Sequence, residues 1–170
     1  ALNPEHWQAW NNKGKALSRL GRHAEALESY GRSAELMKNA PETHYDIGVI
    51  HQVLGNLGEA LKSYDRAVGI LGNDPDLWFN RGALLAQMGK VDEAVKSYCR
   101  ALELNPDFRE ARVNVGILFM NQDKFREAQE SFDEVLRSAP GHMEALINKS
   151  ALLLRRRRYA DAERCLERAL

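Results

Sequence analysis

Apolar residues recur along this chain at helical spacing, broken at regular intervals by glycine. Between Pro75 and Pro106, Trp78, Gly82 and Leu85 form one stripe and Ala94, Tyr98, Ala101 and Leu102 a second, with Gly89 between them. Two amphipathic stripes flanking a glycine predict a helix–turn–helix hairpin. The pattern then repeats at a fixed interval. Gly14, Gly48, Gly82 and Gly116 are 34 residues apart, and the next step falls on Ser150. Ala26, Ala60, Ala94, Ala128 and Ala162 keep the same period, each followed four residues later by Tyr30, Tyr64, Tyr98, Phe132 or Leu166. A third series runs Ser33, Ala67, Ala101, Val135 and Ala169. Three series in one register across the chain indicate a solenoid of stacked hairpins.

Each periodic position has a physical reason. The small residues let the two helices of a hairpin approach closely, and the aromatic series fills the space beside them. Gly21, Gly55 and Gly89 close the first helices, where a residue free to adopt positive φ ends a helix at low cost. The same slot holds Asp123 and Arg157 in the fourth and fifth repeats. Asp tolerates a left-handed conformation, whereas Arg is strained there. Glu25, Glu59, Glu93, Glu127 and Asp161 fall in the first turns of the second helices, where a carboxylate favours the helix dipole. They are structural punctuation, not catalytic acids.

The reference copy, Trp78-x2-Arg81-Gly82-x2-Leu85, then Ala94-x3-Tyr98, then Pro106, resembles the tetratricopeptide repeat (TPR), whose unit carries W-x2-L-G-x2-Y, A-x3-F and P. The resemblance implies an all-α fold: a right-handed α-solenoid superhelix of antiparallel helix–turn–helix hairpins, about ten helices in all. It places repeats at 7–40, 41–74, 75–108, 109–142 and 143–170, the last incomplete, in one array spanning 1–170. Residues 1–6 match the tail of a preceding repeat, with Pro4 in the slot of Pro106 and Pro140, so a fragment of a longer TPR array is expected.

Charge and composition narrow the function. Lys plus Arg and Asp plus Glu both number 24, giving zero formal net charge. This counts against a dedicated nucleic-acid binder, which needs clustered cations. No apolar run approaches the ~18 residues of a membrane span. Cys99 and Cys165 are isolated from any CxxC pattern, suggesting reduced thiols and a cytoplasmic location. His44 and His51 occupy the slots of Trp78 and Leu85 and read as packing substitutes, with no zinc spacing. Lys13, Arg81 and Lys149 stand at the usual leucine of the motif, with stems expected along the hairpin and charges in water. Arg155 to Arg158, the one basic run, reads as a solvated turn or, in a second reading, a site for an acidic partner. No phosphate loop, nucleophile elbow or metalloprotease motif occurs, so no catalytic residue, cofactor or metal is expected and the chain is not read as an enzyme.

Function is then expected from residues the repeat does not need for folding. In TPR arrays the first helices line a concave groove that holds a peptide or helical segment of a partner. Carried over by position, the peptide-binding candidates are Asn12, Lys15 and Arg19; Tyr45, Asp46 and Val49; Phe79 and Asn80; Val113, Asn114, Ile117 and Met120; and Ile147 and Asn148. The sixth position of each repeat forms the row Asn12, Asp46, Asn80, Asn114 and Asn148. Such amides either hydrogen-bond the backbone of an extended peptide or support neighbouring helices, and the residue types alone leave both readings open. The middle and later repeats are apolar at the groove positions, implying a partner with apolar side chains, while the first repeat is polar and basic, suited to a carboxylate. The carboxylate clamp of similar three-repeat domains is absent, because the fifth position reads Asn11, Tyr45, Phe79, Val113 and Ile147 and the ninth never carries Asn. Two further readings stand beside the scaffold: a substrate-recruiting arm of an enzyme, such as one resembling an O-linked N-acetylglucosamine transferase, and self-association through uncapped terminal helices.

Overall fold

The hairpin turns adopt the backbone that their residues predict. Gly21, Gly55 and Gly89 have φ of 73°, 76° and 74°, and Asp123 and Arg157 adopt the same left-handed region at 57° and 58°. The computed structural model describes residues 6–170; the expected repeat tail around Pro4 lies outside the described residues. Among the described residues there are ten helices: α1 (Trp7–Arg19), α2 (His23–Leu36), α3 (Pro41–Val53), α4 (Leu57–Ile70), α5 (Pro75–Gln87), α6 (Val91–Leu104), α7 (Arg109–Asn121), α8 (Phe125–Ser138), α9 (Met143–Arg155) and α10 (Tyr159–Glu167). The fold is an all-α solenoid. It divides into two compact units after Lys90, the first holding α1 to α5 and the second α6 to α10.

Local sequence sets the helix ends. Pro41 and Pro75 open α3 and α5, where the missing N–H is no loss. Asp74 caps α5 by accepting from the backbone N–H groups of Asp76 and Leu77. The first-turn acids of the second helices sit where the dipole favours them.

The glycine series marks a close approach within the α1/α2, α3/α4 and α7/α8 hairpins. A Cβ built on Gly14 would lie 2.6 Å from the Tyr30 ring, on Gly48 2.6 Å from the Tyr64 ring, and on Gly116 2.6 Å from the Phe132 ring. No side chain fits there without displacing the aromatic. The two series are therefore halves of one contact. In the first unit the buried apolar residues form small clusters, such as Leu17, Ala26, Tyr30 and Ile50, and Ala60, Tyr64 and Leu84. In the second unit a larger cluster joins Val113, Met120, Phe132, Val135, Leu146, Leu152, Leu153 and Cys165.

A recurrent bond ties each repeat to the next within a unit. His44 Nε2 lies 3.1 Å from the Lys38 carbonyl, Trp78 Nε1 donates to the Gly72 carbonyl at 2.9 Å, and Arg112 Nη2 to the Pro106 carbonyl at 3.1 Å. The carbonyl can only accept, so Nε2 of His44 carries the proton. In the last repeat this slot is Leu146, and Arg168 Nη2 supplies the donor to Pro140 at 2.7 Å. His44 thus substitutes for Trp78 in bonding as well as in packing.

One expectation changes at the leucine slot. Arg81 Nε pairs with Asp65 Oδ1 at 2.7 Å and Lys149 Nζ with Asp133 Oδ1 at 2.5 Å, with side chains only 19% and 20% exposed. Their charges do not simply extend into water; each is spent on an aspartate of the preceding second helix. Lys13 instead lies over the Trp10 ring, 5.0 Å from its centroid.

Candidate functional site

On α1 the candidate residues Asn12, Lys15 and Arg19 are exposed. Behind them runs a buried polar chain. Ser33 Oγ donates to the Trp7 carbonyl at 2.9 Å and meets Thr43 Oγ1 at 3.2 Å. Asn11 Nδ2 donates to Thr43 Oγ1 at 3.0 Å and reaches Asp46 Oδ2 at 3.4 Å, and Lys15 Nζ pairs with Asp46 at 3.5 Å. The chain therefore links the interior of the α1/α2/α3 junction to the candidate surface. Burial raises the pKa of the Asp46 carboxyl, with Lys15 and Asn11 pulling the other way.

Tyr45 and Val49 on α3 are half-buried and pack on the cluster around Tyr64. The Tyr45 ring stacks on Tyr64 at a centroid separation of 5.6 Å. Burial raises the Tyr45 pKa, helped by Asp46, Asp76 and Asp74. Tyr64 in turn donates its hydroxyl to Gln52 Oε1 at 3.0 Å, and Gln52 Nε2 donates to Gln87 Oε1 at 2.9 Å. Phe79 and Asn80 on α5 are half-buried, and Asn80 Nδ2 donates to the Asp76 carbonyl of its own helix at 2.7 Å.

In the second unit the candidates separate by depth. Val113 is fully buried and Met120 is 7% exposed, both inside the core cluster, and Ile117 packs against it. Val113 and Met120 therefore contribute packing and present no side chain to a ligand. Ile147 is 48% exposed, as is Leu154 at 47%. Asn114 Nδ2 donates to the Tyr98 hydroxyl at 3.3 Å, and Asn148 Nδ2 to the Glu144 carbonyl at 2.9 Å. Burial pushes the Tyr98 hydroxyl up to about 12 despite that bond.

The amide row is accordingly partly committed to the chain itself: one N–H each of Asn80, Asn114 and Asn148 is used internally. The buried chain through Asn11, Ser33 and Thr43 was missed by reading position by position. Its signal was present, since these three polar residues stand where other repeats carry Tyr45 or Val113, Ala67 or Val135, and Leu77 or Ala145. Among the described residues no group of three His, Cys, Asp or Glu is placed to hold a metal, and no helix is long and apolar enough to cross a membrane.

Comparison with known proteins agrees with this architecture. Among solved structures, YrrB, described as a TPR protein with an unusual peptide-binding site, is 26% identical with a TM-score of 0.82, covering 98% of this chain and 86% of that one. MamA from Desulfovibrio magneticus RS-1 is 18% identical with a TM-score of 0.87, covering 99% and 95%. A tetratricopeptide repeat protein from Parabacteroides merdae is 23% identical with a TM-score of 0.88, covering 95% and 64%. No curated protein sequence gives a significant match. Models of the tetratricopeptide repeat match residues 7–40, 41–70, 75–108 and 116–170, and the chain belongs to the tetratricopeptide-repeat family.

Proposed function

We propose that this chain is a protein–protein interaction scaffold whose first helices hold a peptide or helical segment of a partner. The observation that carries the reading is the two-faced character of those helices. One face of each is spent on the core, while Asn12, Lys15 and Arg19 on α1 and Ile147 and Leu154 on α9 remain exposed. The likeness to YrrB, a protein described as having a peptide-binding site, supports it. Polar and apolar contacts divide the work: Lys15 and Arg19 suit a carboxylate, and Tyr45, Phe79 and Ile147 suit apolar side chains. Asn80 and Asn148 each retain an amide oxygen and a second N–H beyond the bond to their own helix, enough to pair with a peptide backbone. The exposed thiol of Cys99 and the buried one of Cys165, both free, fit a reducing compartment such as the cytoplasm.

The test is affinity for peptides selected by display against the 170-residue chain. Lys15→Glu combined with Asn80→Ala is expected to weaken binding about tenfold, the scale of one or two charge-assisted hydrogen bonds, with an unchanged circular dichroism spectrum. Undiminished binding would exclude the α1 and α5 faces.

A further inference from the structure

The last hairpin carries a second site that uses none of the first-helix groove positions. A cavity of about 290 Å³ opens between α8, α9 and α10, lined by Lys149, Arg158, Arg164 and Arg168 with Asp161 as the one carboxylate. Its floor is apolar: Leu153 is 1% and Cys165 7% exposed. The single acid is already paired at both oxygens, accepting from Arg158 Nε at 2.7 Å and from Arg164 Nη2. Lys149 is held by Asp133, and Arg168 uses one N–H on the Pro140 carbonyl. Each guanidinium offers five N–H donors, and these bonds engage only one or two of them.

The same place in the first hairpin provides an internal control. There, 136 residues earlier, a cavity of about 190 Å³ is lined by Trp10, Lys13, Glu25, Glu28 and Arg32. Two lining cations face two carboxylates, and Arg22, in the slot of Arg158, is paired with Glu25. Glu28 corresponds to Arg164, so the reversal at that one position, with Arg22 and Arg158 alike in the two hairpins, replaces a carboxylate by a third guanidinium beside Asp161. The repeat does not require a cation at that position, since its first copy carries Glu28 there.

From this geometry we infer that the α8–α10 cavity binds a phosphate dianion, carried on a phosphorylated side chain of a partner or free in solution. Three arginine forks around one small cavity match the several oxygens of a phosphoryl group, which guanidinium binds through paired, directional N–H bonds.

The experiment is titration of the chain, by calorimetry at fixed ionic strength, with inorganic phosphate, a phosphoserine peptide and its unphosphorylated counterpart. The phosphorylated peptide is expected to bind about tenfold or more tightly than its counterpart. Arg164→Glu, which copies Glu28, is expected to abolish that ratio, and the converse Glu28→Arg in the first hairpin is expected to add a second phosphopeptide site. Inorganic phosphate binding as tightly as the phosphopeptide identifies the free ion as ligand. Equal affinity for the two peptides with no uptake of phosphate beyond chloride, or an Arg164→Glu variant that is folded by circular dichroism and binds undiminished, overturns the proposal.

Discussion

The first and second units solve one packing problem in opposite ways. Where the second unit places Val113, Val135 and Ala145, all at 0–1% exposure, the first places Asn11, Ser33 and Thr43, also nearly fully buried. The slots are separated by 102 residues, three repeat lengths, so the backbone asks the same of both sets. The second unit fills them with hydrocarbon; the first connects them by hydrogen bonds that run outward to Asp46 and Lys15. Buried polar groups are tolerated when every member is satisfied, and such a network adds directionality that apolar packing lacks. The lesson is that the register dictates volume and closeness, and the chemistry filling that volume stays open. In the first unit that freedom couples the interior to the candidate binding surface.

The sharpest way to break the comparison is to move one member across. Val113→Asn puts an amide into the apolar core cluster of the second unit, which includes Leu146, Val135 and Met120. The lost burial and an unpartnered amide together should cost about 3 kcal/mol, read as a fall in the denaturant midpoint. A loss within about 0.5 kcal/mol, the size of an ordinary surface substitution, would show that water or Asn114 can satisfy the site. The reverse change, Asn11→Val, removes the donor to Thr43 and Asp46 and should cost about 1 kcal/mol. Exchanging the whole set, Asn11→Val with Ser33→Val and Thr43→Ala, should recover most of that loss, because replacing all partners leaves nothing unsatisfied. A triple variant less stable than the single one would mean that the network is worth more than the hydrocarbon it displaces.

The hairpin turns sharpen the contrast at a smaller scale. Positive φ is carried by glycine at 21, 55 and 89 in the first unit but by Asp123 and Arg157 in the second. Arg157→Gly should therefore stabilise by about 1 kcal/mol, the left-handed cost of a side chain, offset in part by unfolded-state entropy. Gly55→Arg should destabilise by a similar amount, since a Cβ there meets no neighbour and only the backbone term acts. Thermal melts of the two variants should move in opposite directions; movement in the same direction would show that packing around the turns, not φ, decides.

What the sequence disclosed follows the same line. The period, the turns at Asp123 and Arg157 and the pairing of Gly14 with Tyr30 were legible because each is fixed by backbone geometry within one hairpin. The fate of the fifth and twelfth positions was not. Val113 and Met120 are buried where Ile147 and Leu154 are exposed, because depth depends on how closely successive first helices approach, and position labels carry no such distance. Arg81 and Lys149 could be read as solvated until their partners Asp65 and Asp133, 16 residues earlier in each case, were placed beside them. Arg168 taking over the Pro140 carbonyl in the absence of a donor at Leu146 likewise joins residues 28 apart. Local patterns fix elements; these pairings are set only once the elements stack.

The smallest expected effect concerns Asp46, the one carboxylate in a row otherwise made of Asn12, Asn80, Asn114 and Asn148. Its folded-state pKa is raised, chiefly by burial, so the folded chain holds this proton more tightly than the unfolded one. Between the unfolded value, about 4, and the raised folded value, the native state binds more protons and stability falls as pH rises. The favourable contribution is complete below about pH 4 and is lost as pH climbs through the folded pKa. Asp46→Asn should remove this slope, leaving the variant at least as stable as the parent at neutral pH. The amide keeps an acceptor for Asn11, and the forfeited Lys15 pair is worth only ~0–1 kcal/mol at this partly exposed position. The measurement is the difference in unfolding free energy between parent and variant from pH 3 to about 7, which should favour the variant increasingly toward neutrality. A difference that instead favours the parent as pH rises would mean that Lys15 and Asn11 outweigh burial, and that the first unit uses Asp46 as a stabilising ion in its polar chain.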